Sequence, residues 1–209
     1  MSDVSDPVPD AIDDLERVLG YRDAVDDAGD GGAVDLVGPE LVQLPCWTPR
    51  FCQALIRAAE AVGGFAPDPD DPVPGHEVSL ATISPALFGA VQDDFGRRIW
   101  PRLREVWPHI DYHGIRDVFV IRYTLGEQET LRLHHDVAQV SASIKLSDQH
   151  EGAELWFPRQ RVDNVSQPVG SMLAWPSLVT HPHEVRPLRS GVKYGATVWF
   201  ELPGDVLMA

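Results

Sequence analysis

The stretch Asp117–Val137, DVFVIRYTLGEQETLRLHHDV, decides how the chain is read. Its first half is β-branched and aromatic with partial alternation, the pattern of a strand with one buried face. Its second half ends on His134-His135-Asp136. In an extended chain, residues two apart point to the same side. His134 and Asp136 can then converge on one ion, with His135 facing away. Two such groups are two-thirds of a metal site, and the rest must come from another strand.

Further strand-like segments follow it: QVSASIKLS (139–147), AELWFP (153–158), GSMLAWP (170–176) and KYGATVWFEL (193–202). They are short, with turn residues between them, which points to an antiparallel sandwich or jelly roll. The preceding part reads differently. LVQLP (41–45) suits a strand and TPRFCQALIRAAEAVGG (48–64) a helix, capped by Thr48, opened by Pro49 and closed by Gly63-Gly64. Phe51, Leu55, Ile56, Ala59 and Val62 give it one apolar face. After the Pro/Asp loop APDPDDPVPG (66–75), EVSLATI (77–83) is expected to be a strand. Residues 84–107 are expected to form a helix opened by Ser84-Pro85 and ended or kinked at Pro101. The fold class is therefore α+β, with supporting helices at 41–116 and a β-rich core at 117–202.

Residues 1–40 are expected to be an acidic, partly flexible extension with one amphipathic helix, Asp10–Leu19. They hold twelve Asp or Glu against Arg17 and Arg22. A solvated tail packed in part on the domain is preferred over a lid or partner-binding arm. The 209-residue chain is of single-domain size and carries a formal charge of −15, which disfavours nucleic acid as a partner. It has no apolar run of membrane-spanning length and no signal-peptide pattern at its start. Cys46 and Cys52 are its only cysteines, so a cytoplasmic location with reduced thiols is expected. The sequence does not indicate an oligomeric state.

The third ligand is offered by His181-Pro182-His183-Glu184. Two histidines and one carboxylate suit non-haem Fe(II), with open positions for other ligands. Zinc accepts the same set, although the HExxH helix of many zinc hydrolases is absent. Ten residues past His183 stands Lys193, which with Lys145 makes up all the lysine in a chain of fifteen arginines. Arg186–Gly191 reads as a turn between two adjacent strands that would carry His183 and Lys193 into one interior. A lysine on an otherwise apolar strand is costly to bury without an anion.

In this order, the blocks HHD, GAELWF (152–157), THPHEVRP (180–187) and Lys193-Tyr194 resemble the Fe(II)- and 2-oxoglutarate-dependent dioxygenases, in particular the collagen lysyl and prolyl hydroxylases. The resemblance covers about residues 40–202 and implies a double-stranded β-helix (jelly roll, cupin-like). By position, His134, Asp136 and His183 match the metal ligands, and His181 a neighbour of the last one. Lys193 matches the residue that binds the distal carboxylate of 2-oxoglutarate. The lysyl branch has arginine there, whereas prolyl hydroxylases have lysine. A lysine is a point charge rather than a fork, so a second donor is needed; Tyr123 and Thr197 are the candidates, and Trp199 is expected to wall the pocket.

The implied cofactors are Fe(II), 2-oxoglutarate and O2, with ascorbate as a candidate reductant. The implied activity is hydroxylation of an amino-acid side chain, free, carrier-bound or peptidyl, or of a natural-product intermediate. Related halogenases have a small residue in place of the carboxylate, so Asp136 favours hydroxylation. The alternatives are a sensor module that binds metal and 2-oxoglutarate without turnover, and a zinc-dependent hydrolase or isomerase. Arg132, Lys145, Arg159 and Arg161 are candidate partners for a substrate carboxylate, and PRQRVDNVSQPVG (158–170) is the candidate specificity loop.

Overall fold

The computed structural model describes residues 21, 33–67 and 69–203. The expected helix Asp10–Leu19 lies outside the described residues. Tyr21 is buried, donates a hydrogen bond to Asp94 Oδ2 (2.7 Å) and meets the Phe51 ring edge-on at 5.4 Å.

Two antiparallel sheets face each other. The larger has the order β1-β2-β10-β6-β12-β4-β3, with β7 pairing the far end of β12; the smaller runs β5-β11-β8-β9. In the larger sheet, β1 is Asp35–Gly38, β2 Leu41–Pro45, β3 Glu77–Ser79, β4 Ile115–Thr124, β6 Val140–Lys145, β7 His150–Gly152, β10 Ser171–Pro176 and β12 Leu188–Phe200. In the smaller, β5 is Leu131–His134, β8 Leu155–Phe157, β9 Val162–Asp163 and β11 His183–Val185. The sheet thus begins at Asp35, ahead of the expected boundary at residue 41.

Period-two alternation divides the large sheet into two working faces. Val118 and Val120 on β4, Ala142 and Ile144 on β6, and Ala196, Val198 and Phe200 on β12 pack into the core beneath the helices. Ile121 and Tyr123, with Leu173 and Trp175 of β10, face the small sheet and meet Leu155, Phe157 and Val185. One face is held rigid by helices, and the other is free to build a site.

Helix α1 is Pro49–Val62, with Thr48 Oγ1 accepting from the Phe51 N–H (3.2 Å) and the Gly63 N–H donating to the Ala59 carbonyl. It buries Phe51, Cys52, Leu55 and Ala59 and half-buries Ile56, so the expected stripe holds except at its end, where Val62 is exposed and Cys52 joins the buried face. The expected strand 77–83 stops at Ser79. Ser79 Oγ accepts from the Ala81 N–H and opens the short helix α2, Leu80–Ile83, because a capping serine followed by Leu-Ala favours a turn of helix.

Residues 85–106 form helix α3 (Pro85–Asp94), a π turn (Phe95–Ile99) and helix α4 (Trp100–Val106). The cause of the π turn is Pro101, which has no N–H for the Arg97 carbonyl and crowds it. The helix absorbs the defect as a widened turn, with the Trp100 N–H reaching Phe95 O. Leu87, Val91, Phe95, Ile99 and Leu103 stay buried throughout.

Gly170 joins the two halves. Its carbonyl accepts from the N–H groups of Cys46 and Trp47, and its own N–H donates to the Lys145 carbonyl (2.8 Å). Its φ is +84°, and a Cβ there would collide with the Trp47 carbonyl oxygen. Gly170→Ala is expected to lower stability by about 2 kcal/mol or more, read as a reduced urea midpoint. An unchanged midpoint would contradict this reading of the junction.

Candidate active site

The cavity between the sheets has a volume of about 390 Å³, within the range of ordinary small-ligand sites. The small sheet supplies one wall. β5 and β11 are antiparallel neighbours in which His134 is the direct partner of His183, with ring centroids 4.3 Å apart. The two imidazoles are oriented alike. His134 Nδ1 donates to the Arg132 carbonyl (2.7 Å), and His183 Nδ1 to the His181 carbonyl (3.0 Å). A carbonyl only accepts, so these bonds fix the proton on Nδ1 and leave the Nε2 lone pairs free.

Those lone pairs face Asp136. His134 Nε2 lies 3.4 Å from Asp136 Oδ1, and His183 Nε2 3.6 Å from Oδ2. β5 ends at His134, so Asp136 enters from the first residues of the following loop rather than from strand alternation as expected. Burial works to raise the Asp136 carboxyl, but the adjacent His134 and His183 imidazoles and the Ser141 hydroxyl outweigh it and hold it below the usual carboxylate range. Burial pushes His183 down to about 4, which keeps it neutral at neutral pH. Asp136 Oδ2 is buried with no hydrogen-bond partner.

The result is a largely buried group of acceptors aimed at one another, with Asp136 Oδ2 left without a partner, which is costly unless a cation fills it. The three ligand atoms lie within 4.8 Å of one another, the only such metal-sized group of His, Cys and acidic residues among the described residues. Two imidazoles and one carboxylate fit a divalent transition metal. Phe157 and Trp175 back His183 with rings at 5.5 and 4.9 Å. His181 is buried and anchored by Thr180 and the Pro39 carbonyl, and through its own carbonyl it orients His183. His135 stays outside the cluster and bonds the Val179 carbonyl (3.0 Å).

The large sheet supplies the other wall. Lys193, Gly195, Thr197 and Trp199 all line the cavity from β12. His183 and Lys193 were expected on adjacent strands, but β11 and β12 lie in different sheets. The turn between them is only Arg186-Pro187, because β12 starts at Leu188. The chain crosses from one layer to the other there, so the two residues meet across the cavity rather than along a ladder.

The Lys193 ammonium is buried, donates to the Ala153 carbonyl (2.7 Å), and sits 4.9 Å from the centre of the Tyr123 ring. Tyr123 is its register partner on β4, whereas Thr197 is opposite Phe119. Burial pushes Lys193 down to about 7, with Lys145 adding to the effect. Trp199 stands edge-on to Phe119 at 5.1 Å and forms part of the wall.

Other candidate residues lie elsewhere. None of Arg132, Lys145, Arg159 and Arg161 borders this cavity; Arg132 and Arg159 bond the carbonyls of Pro72 and Val179. No residue of 158–170 lines it, while Asn164 and Val165 border a second cleft behind Lys193. The mouth is instead built from Asp70, Asp71, Pro72, Val73 and Gly75, together with Arg116 and Val137. The signal for Arg116 was its place at the start of the strand that carries Tyr123.

His134→Ala, Asp136→Ala and His183→Ala are each expected to lower affinity for Fe(II) or Mn(II) by at least about tenfold, read by equilibrium dialysis with metal analysis. Unchanged metal content in any of them would remove that residue from the site. Lys193 has a folded-state pKa below its unfolded value, so the unfolded chain holds a proton that the folded one releases between about pH 7 and pH 10.5. The Lys193 contribution to the stability of the ligand-free protein is therefore expected to rise across that window, while the buried Cys46 and Cys52 thiols, pushed up by burial, act oppositely at its upper end. The difference between the wild type and Lys193→Met isolates that contribution: the variant should have the higher melting temperature at pH 7, with the gap narrowing as pH rises; a lower melting temperature would mean that the buried ammonium is already compensated.

Residues 118–201 match the 2OG-Fe(II) oxygenase superfamily. The multifunctional procollagen lysine hydroxylase and glycosyltransferase of Caenorhabditis elegans is 24% identical over 174 residues, which are 77% of this chain and 24% of that protein. Procollagen-lysine,2-oxoglutarate 5-dioxygenase 1 of Mus musculus is 26% identical over 178 residues, 78% of this chain and 24% of its own. The chain thus spans about a quarter of the length of these relatives. Among solved structures, the 2OG complex of a viral collagen prolyl hydroxylase from Paramecium Bursaria Chlorella virus-1 is similar, with a TM-score of 0.59, 19% identity, and coverage of 79% of this chain and 97% of that one. A Pseudomonas putida prolyl-4-hydroxylase gives a TM-score of 0.57 and 20% identity over 79% of this chain and 94% of that one. These likenesses identify the two facing sheets as a double-stranded β-helix. Residues 118–201 thus carry the sequence match to the 2OG-Fe(II) oxygenase superfamily, the metal-sized triad lies inside that fold, and the chain is similar to prolyl and lysyl hydroxylases.

Proposed function

We propose that the protein is an Fe(II)- and 2-oxoglutarate-dependent dioxygenase. It hydroxylates an unactivated C–H bond of an amino-acid side chain or a natural-product intermediate, and releases succinate and CO2. The observation that carries this reading is the pairing of walls. A converging cluster of two imidazoles and a carboxylate on one side faces the same cavity as a buried, anion-demanding lysine on the other.

His134, Asp136 and His183 hold the iron, and the backbone bonds at their Nδ1 atoms keep both rings aimed. Bound iron supplies the O2 activation that no side chain can, and the overall conversion consumes one O2 and one 2-oxoglutarate for each C–H hydroxylated. Lys193 takes the distal carboxylate of 2-oxoglutarate as a compact positive charge. Tyr123, its register partner, lies beside it and its hydroxyl serves as the further donor, while Thr197 lines the same face of β12 four residues further along. Phe119, Ile121, Leu155 and Trp175 keep the cavity apolar and limit water near the reacting bond. Trp199 closes the side toward the mouth. The buried free thiols Cys46 and Cys52 favour a reducing compartment, and we place the protein in the cytoplasm.

The test is purified, Fe(II)-loaded protein with 2-oxoglutarate and O2, incubated with free amino acids, capped amino acids and short peptides. Succinate is expected to form in step with a product 16 mass units heavier, and both should vanish in Asp136→Ala. No succinate above the Asp136→Ala background with any compound would overturn the reading. Lys193→Met is expected to raise the 2-oxoglutarate requirement at least about tenfold.

A further inference from the structure

Arg116 lies at the start of β4 and lines the cavity mouth. It is exposed yet tethered on two sides. Its guanidinium carbon sits 5.7 Å from the centre of the Trp199 ring, and Nη1 donates to the Val137 carbonyl (3.1 Å). An untethered surface arginine loses much side-chain entropy on gripping a ligand; one already stacked and hydrogen-bonded loses less. Its remaining N–H groups form a planar fork suited to a carboxylate. Val137 follows Asp136 in sequence, so the fork stands on the triad side of the mouth.

Among the described residues, Arg116 and Lys193 are the arginine and lysine that border this cavity. They serve different ligands. Lys193 and Trp199 are six residues apart on β12, or about 20 Å at roughly 3.3 Å per residue. Measured along the backbone, that separation exceeds the span of one 2-oxoglutarate held at the Lys193 ammonium, which is turned to the Ala153 carbonyl, so the carboxylate taken by Arg116 is that of a second molecule. The loop carrying Asp70 and Asp71 borders the same mouth, and Asp71 Oδ1 fixes it by accepting from the Val73 N–H (2.8 Å). A ligand with a carboxylate and an adjacent ammonium meets both signs of charge there. A residue inside a peptide carries neither.

Resting on the dioxygenase reading, we propose that the substrate is a free α-amino acid or a close relative rather than a peptidyl residue. Arg116 binds its carboxylate, and Asp70 and Asp71 form the acidic side of the entrance. Arg116 is thereby the specificity-determining residue between free and chain-embedded substrates.

The experiment is calorimetric titration of the full chain loaded with Zn(II), which occupies the triad without turnover. 2-Oxoglutarate is added first, then the proteinogenic L-amino acids, their carboxamides, and capped peptides containing the same residues. At least one free amino acid is expected to bind roughly 10- to 100-fold tighter than its own carboxamide, the effect of one charge-assisted contact. Arg116→Met should shrink that preference to about threefold or less, and Arg116→Lys should keep part of it. Equal binding of acid and carboxamide, tighter binding of the capped peptide, no binding by any amino acid, or a preference undiminished in Arg116→Met would each overturn the proposal. The wild-type ligand series needs no variant to fold. Failure of 2-oxoglutarate to bind in the first step would instead overturn the dioxygenase reading on which it rests.

Discussion

The direct pairing of His134 with His183 across β5 and β11 is the constraint on which the site depends. β11 has only three residues, and its neighbours fix its register: Val185 lies opposite Leu131 on one side and Leu155 on the other. His183 and Val185 are both buried, with Glu184 between them on the outer face. A slip of one residue would turn Glu184 inward and expose Val185 together with the ligand. The same apolar contacts that hold the small sheet together therefore also aim the imidazole. Phe157 and Trp175 continue this backing, so His183 stands in a dry wall where its neutral form is favoured.

The opposite wall has a different economy. β12 pairs β4 over Val192–Phe200 and β6 over Gly195–Trp199, and is the axis of the large sheet. Its inner-core positions, Ala196, Val198 and Phe200, pack under the helices and hold it still. That rigidity allows the other face to carry Lys193, whose burial opposes folding until an anion arrives. The protein thus keeps two unfavourable features facing one cavity, a converging acceptor cluster and a buried ammonium. In the proposed reading each is relieved by a ligand of opposite character, a dication for one and a dicarboxylate for the other. Misfit of this kind, consistent across two walls, separates a binding site from a structural ion pair.

The β half was readable because its signals are local: period-two alternation in 117–124 and 193–200, turn residues between strands, and histidines whose spacing carried them to one site. The capping of α1 by Thr48 and Gly63 was equally local. What the sequence hid depends on pairing between distant segments. Nothing in the spacing of His183 and Lys193 says that Arg186-Pro187 carries the chain between layers. Nor does anything local show that the Pro/Asp loop at 66–75, rather than 158–170, reaches the mouth. The Val-Ser-Leu run at 78–80 satisfied strand propensity, but Ser79 as a cap outweighed it. Arg116 carries no local signal beyond its place at a strand start, where one charged residue looks like any solvated one; only its contacts with Trp199 and Val137 distinguish it.

The reading that one cavity joins a metal wall to an anion wall is tested most directly by binding of 2-oxoglutarate to the anaerobic protein, with and without Fe(II). With iron, one equivalent is expected to bind, and removing the metal should weaken it by at least about tenfold, since metal and Lys193 would share the ligand. Equal affinity in the two states would contradict a shared site, and so would tight binding that survives Lys193→Met.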